Sequence, residues 1–155
     1  MGELVLVTGG SDYIGGWCVA ELLRRGYQVR TTVRSPGREQ DVTEAVSATV
    51  SAAGDPAGRL SFAVADLTSD DGWDAAVKGA DHVLHVASPL GLSPRGAPRT
   101  ELVTVLPGAV FSPILTTSNI GSVGIAGRVI SGKMRGSPRI GLEIVDIRDL
   151  ADVHH

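Results

Sequence analysis

Gly9, Gly10, Asp12 and Gly15 are the residues whose types and spacing could do chemistry in this chain. Glycines so placed let a backbone turn sharply and bring its amides against a bulky anion. They follow the apolar run Leu4-Val5-Leu6-Val7 and Thr8, and an amphipathic stretch opens at Tyr13-Ile14. A strand that ends in a glycine turn and opens into a helix is the arrangement that binds a dinucleotide. The first helical N–H groups face the pyrophosphate and the helix dipole assists. Thr8, Gly9, Gly10, Asp12, Tyr13, Ile14 and Gly15 are therefore expected to line a cofactor site. One of them departs from the pattern, because the middle position between Gly9 and Gly15 is ordinarily glycine and here is Asp12. Its carboxylate is expected to cap the helix and occupy the donors a phosphate would use. The alternative turns it to solvent with no effect. At ~4 Å from a phosphate charge it would cost about 1 kcal/mol in water and about 4 kcal/mol at an effective dielectric of 20. Binding would weaken roughly fivefold to a thousandfold.

The elements that must position this turn follow from periodicity. Leu4–Val7 reads as a buried parallel strand. Ile14–Arg25 reads as a helix with Ile14, Cys18, Val19, Leu22 and Leu23 on one face, stopped at Gly26. Gln28–Arg34 alternates as a strand, and Glu39–Ala53 is expected to be a helix with Val42, Ala45, Val46, Thr49 and Val50 inward. Leu60–Ala65 and His82–Ala87 read as the third and fourth strands, with a short helix at Trp73–Val77 between them. Such alternation argues for an α/β fold, a doubly wound parallel sheet of at least five strands with helices on both faces. The pattern breaks over residues 88–100, where three prolines and two glycines leave no helical period. Beyond it, Leu102–Leu106 is expected to be a strand ending at Pro107-Gly108. Asn119–Ser131 is a glycine-rich helix, Leu142–Ile147 a strand, and Arg148–His155 the start of a helix. Asp146, Arg148 and Asp149 are expected to form a network at that helix start.

The chain has 155 residues, 43% of them hydrophobic and 20% charged, with a net charge of −3. That is one domain of ordinary globular composition. The charge gives no reason to expect a nucleic-acid partner. A single cysteine, Cys18, forms no internal disulfide and does not suggest an oxidising compartment. The opening lacks a basic region ahead of its apolar run, and no apolar stretch is long enough to span a bilayer. A soluble, cytoplasmic protein with no membrane partner is expected. His82, His85, His154 and His155 show no ligand spacing, and only Cys18 could join them, so no metal site is expected.

Four stretches, VTGGSDYIGGWCVAELLRRGYQVRTTVR, FAVADLTSDDGWDAAVKGADHVLHVASP, VTVLPGAVFSP and GLEIVDIRDLADVHH, carry a resemblance across most of the chain. In this order they resemble the extended short-chain dehydrogenase/reductases, which are NAD-dependent epimerase/dehydratase-like. Within that family they resemble the dihydroflavonol 4-reductase-like ketone and aldehyde reductases. The resemblance implies a truncated Rossmann-like domain over 1–155. The cofactor-binding βαβ units would occupy 1–87, a linker would span 88–100, and 101–155 would be a remnant of the C-terminal half. It implies NADPH-dependent reduction of a small-molecule carbonyl substrate.

By the same resemblance Arg34 meets the adenosine 2′-phosphate. No Asp or Glu lies between Tyr27 and Arg38 to bind ribose hydroxyls instead, so NADP (NADPH) is expected over NAD. A solvated basic loop is the rival reading for Arg30 and Arg38. Asp66 and Leu67 are implied at the adenine, although Asp66, Thr68, Ser69 or Asp70 could equally cap the Trp73 helix. Val86, Ala87 and Ser88 would end the fourth strand beside the ribose, and Pro107 and Gly108 would pass the nicotinamide, a plain turn being the alternative. In the family a serine and a Tyr-x-x-x-Lys segment lie between the fourth strand and the Leu-Pro-Gly segment. Here that interval is the linker, the tyrosines are Tyr13 and Tyr27, and the lysines are Lys78 and Lys133. No Tyr-x-x-x-Lys can be assembled, so no catalytic residue is assigned and activity is expected to be impaired; the alternative is a non-catalytic remnant that binds NADP or an adenine nucleotide, or an interaction module. A chain without the family's substrate lobe and with a helix missing is also expected to expose apolar surface and self-associate.

Overall fold

The computed structural model describes residues 2–50, 58–87, 109–111, 113, 115, 123–133 and 144–153. Its main sheet has four strands, β1 (Leu4–Thr8), β2 (Gln28–Val33), β3 (Leu60–Val64) and β4 (His82–His85), in the order β3-β2-β1-β4. Every pairing is parallel, with Val5 opposite Val29 on one side and His82 on the other. Helix α1 (Tyr13–Arg24) links β1 to β2, α2 (Glu39–Val50) links β2 to β3, and the short α3 (Trp73–Val77) precedes β4.

Alternation along the strands sorts the two faces. Val5, Val7, Val29 and Val33 turn to one side, where they meet Cys18, Val19, Leu22 and Leu23 of α1 and Val42, Val46 and Val50 of α2. Each fully buried Val or Leu there contributes roughly 1.5–3 kcal/mol. Arg30 lies on the opposite face, where its guanidinium donates to the carbonyls of Ala76 at 2.8 Å and Lys78 at 2.7 Å, across the C-terminus of α3. The basic-loop reading of Arg30 is therefore wrong: the side chain caps a helix whose last carbonyls need a donor.

Helix α1 stops as its sequence suggests. Gly26 has φ +95°, its amide donates to Leu23 O, and the Tyr27 amide donates to Leu22 O. That is a Schellman closure, and Arg59 adds a third donor by binding Leu23 O at 2.7 Å.

A second, two-stranded parallel sheet joins β5 (Ala109–Phe111) to β6 (Ile144–Asp146). The expected five or more strands thus occur as two sheets among the described residues, not as one. Helix α5 (Ile147–Val153) packs on α1, with Ala151 in the main core and Arg25 paired to Asp152. Asp146 accepts from the Arg148 amide at 2.8 Å and from its guanidinium, so the helix-start network is present. Helix α4 (Val123–Ile130) falls within the expected Asn119–Ser131, of which residues 119–122 lie outside the described residues. The linker over 88–100 and the expected strand Leu102–Leu106 lie outside the described residues. Among the described residues no helix is long and apolar enough to cross a membrane.

Candidate cofactor site

The carboxyl ends of β1, β2, β3 and β4 share one edge of the sheet, and the described site residues lie at those ends, in the loops that leave them and in the first turn of α1. The turn after β1 is shaped by contacts that exclude side chains. Gly9 has φ +75°, and a Cβ there would lie 2.9 Å from both the Ala87 Cβ and an Asp12 carboxylate oxygen. A Cβ on Gly10 would come within 2.2 Å of the Thr31 hydroxyl, and one on Gly15 within 2.1 Å of the Gly9 carbonyl oxygen. The helix therefore sits directly on the turn, an approach only glycine permits.

Threonines tie this turn to the sheet. The Gly9 amide donates to the Thr32 hydroxyl at 3.0 Å, and the Thr31 hydroxyl donates to Val7 O at 2.8 Å. Thr8 is buried, and its hydroxyl oxygen accepts from the amides of Val86 and Ala87, both at 3.0 Å, while lying 3.0 Å from His85 Nδ1. Thr8 thus clips the exit of β4 to the end of β1. Sequence reasoning missed Thr31, Thr32 and His85. The signal available was their register: Thr31 pairs with Val7, and His85 with Thr8, at the ends of the strands.

Asp12 stands at the N-cap position of α1 with φ −89° and ψ 164°. Its side chain makes no cap hydrogen bond, which corrects the expectation that it occupies the helical donors. The carboxylate instead leans back over Gly9. The first helical bond runs from the Gly16 amide to Asp12 O, so the amides ahead of Gly16 lie at the open end of the helix. Tyr13 is buried there, against Val110, Ile147 and Leu150, with Ile14 partly buried behind it.

Arg34 is exposed just beyond β2, and Asp66 lies past the end of β3. The Asp66 carboxylate accepts from the Thr68 hydroxyl at 2.6 Å and the Thr68 amide at 2.8 Å. These bonds hold its carboxyl below the usual range, with the Arg34 charge acting in the same direction. The N-cap position of α3 is Gly72, so neither Asp66 nor Thr68, Ser69 or Asp70 caps that helix. Leu67 is exposed on the same edge. Val86 and Ala87 are half-buried beside the turn; Ser88 and Pro107 lie outside the described residues.

Cys18 is no nucleophile, because burial pushes its thiol up to about 12. An open concavity lined by Gly2, Glu3, Arg25, Gly26 and Tyr27 sits at the opposite, amino edge of the sheet, away from these groups.

Residues 5–103, more than half of the chain, match the NAD dependent epimerase/dehydratase family. The chain belongs to that family. Among curated members, dihydroflavonol 4-reductase of Arabidopsis thaliana is 38% identical over 103 residues, covering 65% of this chain and 25% of the relative. The crystal structure of vestitone reductase from alfalfa (Medicago sativa) is 33% identical, covers 56% of this chain and 26% of that one, and has a TM-score of 0.45. Yeast methylglyoxal/isovaleraldehyde reductase, solved with NADPH, is 30% identical over 56% of this chain and 24% of that one, with a TM-score of 0.46. The chain spans about a quarter of the length of the curated relatives it matches. As a member of the epimerase/dehydratase family it carries the glycine turn within the matched residues.

Proposed function

We propose that this chain holds NADPH along the carboxyl edge of its main sheet, and that it descends from reductases of ketones or aldehydes without itself reducing them. The observation that carries the cofactor reading is the turn at Gly9, Gly10 and Gly15, closed to side chains and set under the open end of α1. In shape this cradle suits a dinucleotide; in charge it carries one carboxylate, Asp12, against it.

The backbone from Gly9 to Gly15 would face the pyrophosphate. Arg34 would take the 2′-phosphate, with no acidic residue from Gln28 to Gly37 to compete for ribose hydroxyls. Asp66 and Leu67 would border the adenine. Val86 and Ala87 would lie along the ribose, and Ser88 and Pro107 are assigned by family resemblance alone. The nicotinamide, when bound, supplies hydride.

A proton donor for the carbonyl oxygen is the other half of such a reduction. Tyr13 is buried in the first turn of α1, and Tyr27 follows α1 at the amino edge, as Lys78 does before β4. None of them is assigned as the acid. The rival reading, a binder of an adenine nucleotide alone, differs only in how much of the cofactor is held. Calorimetric titration of the full chain with NADPH, NADH and 2′,5′-ADP tests both. NADPH is expected to bind more tightly than NADH, and Arg34→Ala to erase that preference. Equal binding of NADPH and NADH by the parent would overturn the assignment of Arg34.

A further inference from the structure

We propose that His85 is a positioning residue for this crevice. As its Nε2–H tautomer it accepts a hydrogen bond from the Thr8 hydroxyl at Nδ1, fixing the hydroxyl that holds the exit of β4 against the glycine turn. The ligand side of the inference rests on the cofactor reading above; the chemistry rests on hydrogen-bond arithmetic.

A threonine hydroxyl has one proton to give and two lone pairs to accept with. The amides of Val86 and Ala87, each 3.0 Å from Thr8 Oγ1, can only donate, and together they fill both lone pairs. His85 Nδ1 lies at the same distance. The one remaining interaction is donation from Thr8 to the ring, which requires a bare lone pair on Nδ1 and places the ring proton on Nε2. Thr8 is 1% exposed, so no solvent is at hand to replace a lost partner. Thr8 and His85 are opposite in the β1–β4 register, which sets their side chains on one face of the sheet.

The consequence is spatial. Ala87 approaches the turn so closely that a Cβ on Gly9 would lie 2.9 Å from its own. The Val86–Ala87 backbone forms one wall of the crevice, and Thr8 sets how near that wall stands to Gly9. If Nδ1 carried the proton, the Thr8 hydroxyl would have to turn and surrender one of its two amides. His85 therefore governs the wall from an exposed position, through a buried hydroxyl.

The test uses the full chain. Two-bond proton–nitrogen spectra of the 15N-labelled protein, with the His85 signal assigned by its loss in His85→Asn, are expected to show a bare Nδ1 and a protonated Nε2. An Nδ1–H tautomer overturns the inference. His85→Leu removes the acceptor and is expected to weaken NADPH binding about fivefold to tenfold. His85→Asn places an amide oxygen where Nδ1 stood and is expected to restore the parental affinity. Equal losses in both variants, or none in His85→Leu, contradict it. If the parent binds no NADPH, the cofactor reading fails. The tautomer and the hydrogen exchange of the Val86 and Ala87 amides still decide the role of His85. Those amides should lose protection in His85→Leu and keep it in His85→Asn. Should His85→Leu fail to fold, the parent spectrum and His85→Asn decide it alone.

Discussion

At the open end of α1, Asp12 brings a negative charge to the place where a helix dipole and the turn amides favour an anion. From sequence the residue looked like a capping group, because Asp is among the preferred N-cap types. Its backbone does adopt the extended N-cap conformation, but its carboxylate leans over Gly9 instead of the helical amides. The donors are thus not consumed by Asp12, and its effect on a phosphate is electrostatic and steric. Asp12→Gly should raise NADPH affinity at least fivefold, the lower end of the Coulomb range for charges ~4 Å apart. It should leave thermal stability of the free protein within a few tenths of a kcal/mol, since no cap bond is lost. Calorimetry with parent and variant, paired with thermal melts, reads both. Unchanged affinity would place the carboxylate outside the path of the phosphate. The glycines themselves were legible at this scale. The reason Gly9 and Gly10 are required was not: their collision partners include Ala87, just past β4, and Thr31 of β2, both far from the turn in sequence.

Among the elements, α1 is the joint on which both halves rest. Its apolar face packs on the main sheet and α2, while its N-terminal residues meet β5 and α5. Its limits were legible because a glycine turn opens it and Gly26 closes it, and the strands β1 to β4 were legible through alternation. Residues 109–111 were not read as a strand, since three residues after Pro107-Gly108 show no period of their own. Arg30 was misread because a cation within a strand signals a solvated edge until the helix it caps is known. Near its C-terminus α1 carries an acid–base cluster: Glu21 binds Arg24 at 2.6 Å and Arg25 at 2.6 Å, and Arg25 also pairs with Asp152 of α5. The Arg24 hydrogen bond does most to hold the Glu21 carboxyl down to about 2; burial opposes it, and the Arg25 hydrogen bond and the two guanidinium charges act with it. A carboxyl with a depressed folded-state value contributes stability that is complete above its ordinary value of 4.5 and lost as pH falls toward 2. Glu21→Gln should therefore lower the urea midpoint at pH 7. The gap to the parent should close between pH 4.5 and pH 2. A gap independent of pH would mean that the side chain stabilises by packing alone.

For the whole molecule, family membership was legible because the glycine-turn stretch and the stretch through the fourth strand occur in order within residues 5–103, a signal no single turn carries. What the order could not convey is the division of strands between two sheets, since pairing partners are set by tertiary contacts and not by local pattern. The same view governs activity. Hydride transfer to a carbonyl leaves an alkoxide that needs a proton, and loss of the acid alone costs roughly 10²–10⁴-fold. The chain's two tyrosines are placed for structure: Tyr13 is sealed against Val110, Ile147 and Leu150, and Tyr27 belongs to the helix closure at the far edge. On the proposed reading, in which the family's positioning serine segment is missing between the fourth strand and Pro107, further loss would follow from unaligned substrate. NADPH oxidation by the purified chain should equal background across a panel of ketones and aldehydes. That should hold for Asp12→Gly even if its cofactor affinity rises, because tighter binding supplies no acid. Substrate-dependent oxidation that persists through purification, and that Asp12→Gly increases in step with affinity, would show that another group delivers the proton. His85, exposed at the end of β4 with its Nε2 side turned from Thr8, would then be the first residue to replace.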